Sequence, residues 1–165
     1  MVDKERIIEL ANIAYDIIGA GMNVHNELGY GISEGVYEEA LGIELNELGY
    51  EFAHQCDLPV YYKGQLMEKR FRMDMVVEDD IIIELKAVDA ILSEHRAQLF
   101  NYLRLTKKPV GLLINFGKSF YAEKYLYNPK TNEISFLSTK RSILDKSTNC
   151  SHKELFESFL DIFDH

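Results

Sequence analysis

Apolar side chains recur at three- and four-residue steps from Lys4 to Leu28, at Ile7, Leu10, Ala11, Ala14, Ile17, Ile18, Val24 and Leu28, the period of a helix with one buried stripe. Gly29 and Gly31 end that helix, and Ser33 is placed to cap a second one carrying Tyr37, Ala40, Leu41, Leu45 and Leu48 before Gly49. After Gly49 the period falls to two. LPVYY, a Lys63-Gly64 turn, LMEKRFRMDMVV, a short acidic turn and IIIELKA read as a three-stranded meander. Ser93 is placed to cap a helix through about Leu105, and the unbroken apolar run VGLLINF reads as a buried strand. FYAEKYLYN and EISFL alternate more weakly and predict one or two further edge strands. The pattern is that of an α/β domain: a mixed central sheet flanked by helices, with two N-terminal helices preceding a β-meander.

This domain is expected to span residues 1–137, followed by a polar loop over 138–150. Ser151 and Glu154 form a capping-box pattern before Leu155, Phe156, Phe159, Leu160 and Phe163, which predicts an amphipathic helix over 151–165. Its stripe is too short to bury itself, so it should dock on the same domain, on a second copy in a homodimer, or on a partner protein. A chain of 165 residues suits one core better than two. No apolar run approaches the ~18 residues that a membrane helix needs, and the N-terminus MVDKERIIEL places charges where a signal peptide is apolar. A cytoplasmic protein is expected. Cys56 and Cys150 have neither zinc-site nor disulfide-framework spacing.

Net charge is −9, which argues against indiscriminate binding to polyanions. Its distribution alters that reading. Residues 57–127 hold 11 basic and 10 acidic side chains, so the remaining 7 basic and 17 acidic residues carry the deficit. The centre of the chain can therefore meet a polyanion, with Lys63, Lys69, Arg70, Arg104, Lys107 and Lys118 as candidate contacts.

The same central strands carry a candidate site. Alternation puts Phe71, Met73, Met75, Val77, Ile81, Ile83, Leu85 and Ala87 on one face, and Arg72, Asp74, Val76, Ile82, Glu84 and Lys86 on the other. If Glu78-Asp79-Asp80 is a three-residue hairpin loop, Val77 pairs with Ile81 and Asp74 falls opposite Glu84. Carboxylates ~5 Å apart repel by roughly 3 kcal/mol at an effective dielectric of ~20. Lys86 offsets part of that repulsion, and a divalent cation would offset more. Paired carboxylates completed by water and phosphate oxygens suit Mg²⁺ or Mn²⁺, and the chemistry implied is phosphodiester hydrolysis with Lys86 orienting water or stabilising developing charge. An acidic-x-Lys tripeptide arises about twice by chance in a chain of this composition, so the weight lies in the strand context and in the following helix. That helix aligns Gln98 with Tyr102 on one face, with His95 near the same stripe.

At these residues the sequence resembles the PD-(D/E)XK nuclease superfamily and, within it, the GxxExxY proteins. The resemblance rests on Gly31-Ile32-Ser33-Glu34-Gly35-Val36-Tyr37 with Glu38-Glu39-Ala40-Leu41 after it, and on Gln55, Leu58-Pro59-Val60 and Arg72-x-Asp74. It continues through Val76-Val77-Glu78-Asp79, Glu84-Leu85-Lys86-Ala87, Gln98-x-x-Asn101-Tyr102-Leu103 and the run Gly111 to Gly117. It implies a restriction-endonuclease-like core, a metal held by Asp74, Glu84 and the main-chain carbonyl of Leu85, Glu34 approaching from the helix, and catalytic Lys86. Gln98 and Tyr102 look like a QxxxY element beside that metal. Met73 stands where the superfamily's name puts proline. The function implied is a metal-dependent nuclease acting on nucleic acid, DNA in preference to RNA.

Plainer readings compete with each of these. Asp74, Glu84 and Lys86 could form an ion-pair cluster at a sheet edge. Glu34, in a first helical turn, is favoured there by the macrodipole whatever its chemistry. Gln98 and Tyr102 could hydrogen-bond the sheet edge, and His25 and His95 fit helix-end or packing roles. Phe116, Phe120, Tyr121, Tyr125 and Tyr127 could stack bases or simply pack. The rival to a nuclease is a non-catalytic module of the same fold that binds nucleic acid or a protein.

Overall fold

In the computed structural model, residues 3–139 are described. Residues 140–150 of the expected loop and the whole expected helix over 151–165 lie outside them.

The first helix, α1 (Lys4–Leu28), follows the apolar stripe read from the sequence. Asp3 caps it, its Oδ1 accepting the Arg6 N–H at 2.7 Å. By length and composition α1 is apolar enough to cross a bilayer, contrary to the expectation that no segment would. More than half of its most apolar stretch is buried inside the protein, which is how the core helix of a globular domain passes the same test. α2 (Glu34–Leu48) starts after Ser33, although the serine side chain makes no capping hydrogen bond. It ends at Gly49, whose φ of 82° is the left-handed geometry that glycine adopts without strain.

The strands are β1 (Phe52–Leu58), β2 (Tyr61–Tyr62), β3 (Gln65–Leu66), β4 (Phe71–Val77) and β5 (Ile81–Lys86), then helix α3 (Ser93–Thr106) and β6 (Val110–Phe116), β7 (Phe120–Asn128) and β8 (Glu133–Thr139). Six of them form one sheet in the order β1-β4-β5-β6-β7-β8, while β2 and β3 form a separate two-stranded ribbon. Only the β5–β6 pair is parallel, joined by α3, so the sheet is mixed as expected. β6 is buried along its whole length.

Besides FYAEKYLYN, expected at an edge but forming the largely buried interior strand β7 between β6 and β8, three details depart from the sequence reading. The strand beside β4 is FAHQCDL, not LPVYY, which supplies only part of the ribbon. As a sheet edge, β1 exposes His54, Gln55 and Asp57, and Gln55 takes a φ of 48°, so no two-residue period marks it; Pro59, lacking an N–H, follows directly. Secondly, Ser93 is the first residue of α3 and not its cap: the Leu92 N–H donates instead to Nδ1 of His95 at 3.0 Å. Thirdly, Phe71 and Met73 pack under α3 with Val76, Ile82, Leu99 and Tyr102, while Met75, Val77, Ile81, Ile83 and Leu85 face α1 and α2. Simple alternation fails between Met73 and Met75, at Asp74.

Candidate active site

The Val77 to Ile81 hairpin has the expected register, with Met75 opposite Ile83 and Val76 opposite Ile82. Continued one step, it sets Asp74 against Glu84. Their groups interlock: the Asp74 N–H donates to Oε1 of Glu84 at 3.3 Å, and the Leu85 N–H donates to Oδ2 of Asp74 at 2.8 Å. Glu84 is 1% exposed. Burial first and the Asp74 charge second push its carboxyl up to about 8. Asp74 is also raised, by burial and then by the Glu38 charge, against the lowering effect of the Leu85 N–H. A proton thus stabilises this pair in the protein alone.

Lys86, at the end of β5, points its ammonium to Gln98, donating to Oε1 at 3.1 Å. The Gln98 amide then donates to the Tyr102 hydroxyl at 3.0 Å, which donates to the Arg72 carbonyl at 3.0 Å. Every donor in this chain points the same way, so it fixes the glutamine's orientation and the lysine's position. The four-residue spacing of Gln98 and Tyr102 on α3 makes that relay possible. Sequence reasoning had brought Asp74, Glu84, Leu85, Lys86, Gln98 and Tyr102 together, and the structure brings them together too.

Glu34 sits exposed in the first turn of α2. The α2 carboxylate that Asp74 senses is Glu38, one turn further on. Glu38 accepts from Nε2 of Gln55 at 2.8 and 3.0 Å and contacts Nδ1 of His54 at 3.0 Å. Gly42 leaves room for His54, since a Cβ there would lie 3.0 Å from its Nε2. The sequence signal for Glu38 is its helical spacing from Glu34, one turn away on the same face.

Asn115, paired with Lys86 across β5 and β6, is a second residue that the sequence reading left unassigned. It is 3% exposed, and its amide clamps the loop after Lys86: Oδ1 accepts the Val88 N–H at 3.0 Å and Nδ2 donates to the Val88 carbonyl at 2.9 Å. At Gly117 a Cβ would come within 2.5 Å of that carbonyl. An asparagine inside VGLLINF was the signal. Nearby, Arg96 grips the buried Glu123 with Nε at 2.8 and 2.9 Å and a terminal nitrogen at 2.5 Å, and the hydroxyls of Tyr121 and Tyr125 donate to the same carboxylate. This locks α3 to β7.

The motif tyrosine Tyr37 has a structural explanation. Its hydroxyl donates to the Gly29 carbonyl at 2.7 Å, closing the α1–α2 connection, and its ring stacks on Phe116 at 4.4 Å. His25 contacts the Gly117 carbonyl at 2.7 Å through Nε2 and packs against Phe116 and Phe120, while His95 serves the start of α3.

Among the described residues no group of three or more His, Cys, Asp and Glu side chains is arranged to hold a metal ion. The donors at hand are two carboxylates that are short of positive charge, the chemistry that suits a hard cation completed by main-chain, water and substrate oxygens. The residues fit such an ion.

A family model of the PD-(D/E)XK nuclease superfamily matches residues 11–126, from within α1 to within β7, and the chain belongs to this superfamily. Its mixed sheet flanked by helices is the restriction-endonuclease-like core. Among solved structures the chain is similar to one titled "Crystal structure of SSO0001", with a TM-score of 0.46 and 17% identity; the match covers 59% of this chain and 53% of that one. No curated protein matches.

Proposed function

We propose that the protein is a metal-dependent nuclease of the GxxExxY type, cytoplasmic, which hydrolyses phosphodiester bonds in nucleic acid, DNA in preference to RNA. The observation that carries this reading is the pairing of half-buried Asp74 with buried Glu84, the latter raised to about 8, beside a lysine held in place by Gln98. A purely structural ion-pair cluster would match each carboxylate to a cation, whereas this one leaves two carboxylates facing each other.

Asp74, Glu84 and the Leu85 carbonyl would hold Mg²⁺ or Mn²⁺, with Glu38 and, one turn earlier on the same helix, Glu34 adding negative charge from α2. When bound, such an ion lowers the pKa of a coordinated water and polarises the phosphoryl oxygen. Lys86 orients the attacking water or stabilises charge developing on the phosphoryl oxygens. Gln98 and Tyr102 keep Lys86 there, and Asn115 fixes the backbone that follows it.

The test compares wild type with Lys86→Met and Glu84→Ala on single- and double-stranded DNA and RNA with Mn²⁺. Cleavage by wild type that falls at least ~10²-fold in both variants supports the reading. Cleavage surviving unchanged in both contradicts it, and no cleavage despite metal binding favours the non-catalytic module.

A further inference from the structure

The β2–β3 ribbon has no role in the site described above. Lys63 and Gly64 form its tip, with φ of 49° and 76°, the two positive values of a tight hairpin turn whose twist matches the strands. Tyr61 lies opposite Leu66 and Tyr62 opposite Gln65, so the adjacent tyrosines point to opposite faces. Neither face is covered. Tyr61 is 63% exposed and Tyr62 64%, the highest values among the large hydrophobic side chains of the described residues, and Leu66 is 45% exposed. A two-stranded ribbon is marginally stable by itself, and rings held out on both faces suit an external partner.

Charge and position indicate which partner. Between Leu58 and Arg72 there are four basic residues, Lys63, Lys69, Arg70 and Arg72, against the single acid Glu68, in a chain of net charge −9. Lys63 Nζ sits 5.6 Å from the Tyr62 ring centre and Lys69 Nζ 5.9 Å from that of Phe71. The ribbon springs from Leu58 and Phe71, which pair at the end of β1 and β4. Asp74 is three residues along β4, about 10 Å away. Of the other basic candidates, Arg104 and Lys107 lie at the far end of α3, next to the start of β6.

We propose that this ribbon is a stacking arm that holds a single-stranded stretch of nucleic acid beside the Asp74–Glu84 pair. The inference rests on the nuclease reading and adds the form of its substrate. Unpaired bases expose flat faces that tyrosine rings can stack on from both sides of a narrow ribbon, while the lysines and arginines follow the phosphates. In a duplex those faces are already occupied by neighbouring bases.

Fluorescence anisotropy with short labelled single-stranded and blunt duplex oligonucleotides, without divalent metal so that no turnover follows, tests the arm. Tyr61→Ala and Tyr62→Ala should each weaken single-strand binding by about 5- to 150-fold, with melting temperature unchanged and duplex binding affected less. Phe at either position should restore binding, because stacking needs the ring. Lys63→Gln and Lys69→Gln should each reduce the slope of log affinity against log salt by about 0.7. Alanine variants that bind single strands as wild type does, or that lose more affinity for duplex, overturn the arm and leave the nuclease reading standing. A wild type that binds neither form also overturns the arm, while the nuclease reading stands or falls on the cleavage assay with Mn²⁺.

Discussion

Asp74 gives its backbone N–H to the side chain of Glu84 at 3.3 Å, at the point where the β4–β5 ladder leaves off after Met75 and Ile83. Two carboxyl groups that sequence register alone sets face to face are therefore also tied through the backbone. The strand that carries one is shaped by the other.

That arrangement gives stability an unusual pH dependence. Glu84, at about 8 in the folded protein, binds a proton that an unfolded glutamate releases near 4.3. The stabilisation is complete below the unfolded value and is lost as pH rises through about 8; the raised Asp74 acts in the same direction. Metal-free protein should lose a few kcal/mol of unfolding free energy between about pH 4.5 and 8. Urea melts across that range check it, and Glu84→Gln should flatten the dependence.

Removing the acceptor of Lys86 should separate positioning from binding. Gln98→Leu is expected to lower kcat by about tenfold or more with metal affinity unchanged, because the ammonium loses its hydrogen bond to Gln98 while both carboxylates stay in place. Equal losses in kcat and in metal affinity, read by turnover kinetics and calorimetry, would count against the relay.

The Asn115 clamp predicts a structural cost. Asn115→Ala removes two hydrogen bonds and leaves the Val88 N–H and carbonyl without them, which should destabilise the fold by about 2–3 kcal/mol. Chemical denaturation measures this directly, and a change under about 0.5 kcal/mol would show the clamp to be incidental.

For the Arg96–Glu123 lock, the asymmetry of buried pairs sets the expectation. Arg96→Met removes the cation from a carboxylate that is 2% exposed and keeps two tyrosine donors, which should cost about 2–3 kcal/mol, whereas Arg96→Met with Glu123→Leu should recover much of it. A double-mutant cycle in thermal melts distinguishes this from simple loss of packing.

Helices α1, α2 and α3, the mixed sheet and the pairing of Asp74 with Glu84 were legible because each depends on a local rule. A 3.6-residue period marks α1, and a three-residue loop at Glu78-Asp79-Asp80 fixes the register on either side of it. β1 was not legible, since an edge strand with solvent on one face and a positive φ at Gln55 has no alternation to detect. Phe71 and Met73 lie on the opposite side from Met75 because alternation breaks at Asp74, where the contacts to Glu84 and Leu85 are tertiary. The approach of Glu38 to Asp74 likewise depends on how α2 lies across the sheet, which no spacing along the chain specifies.

The most direct test of the site is a metal titration by calorimetry and thermal melting, comparing wild type with Asp74→Asn at pH 8. The account predicts that Mg²⁺ or Mn²⁺ binds wild type and raises its stability by ~2.7 kcal/mol at a hundredfold excess over the dissociation constant, and that Asp74→Asn abolishes most of this gain. Wild type and Asp74→Asn that titrate identically, or a wild type whose melting does not respond to either ion, would contradict it.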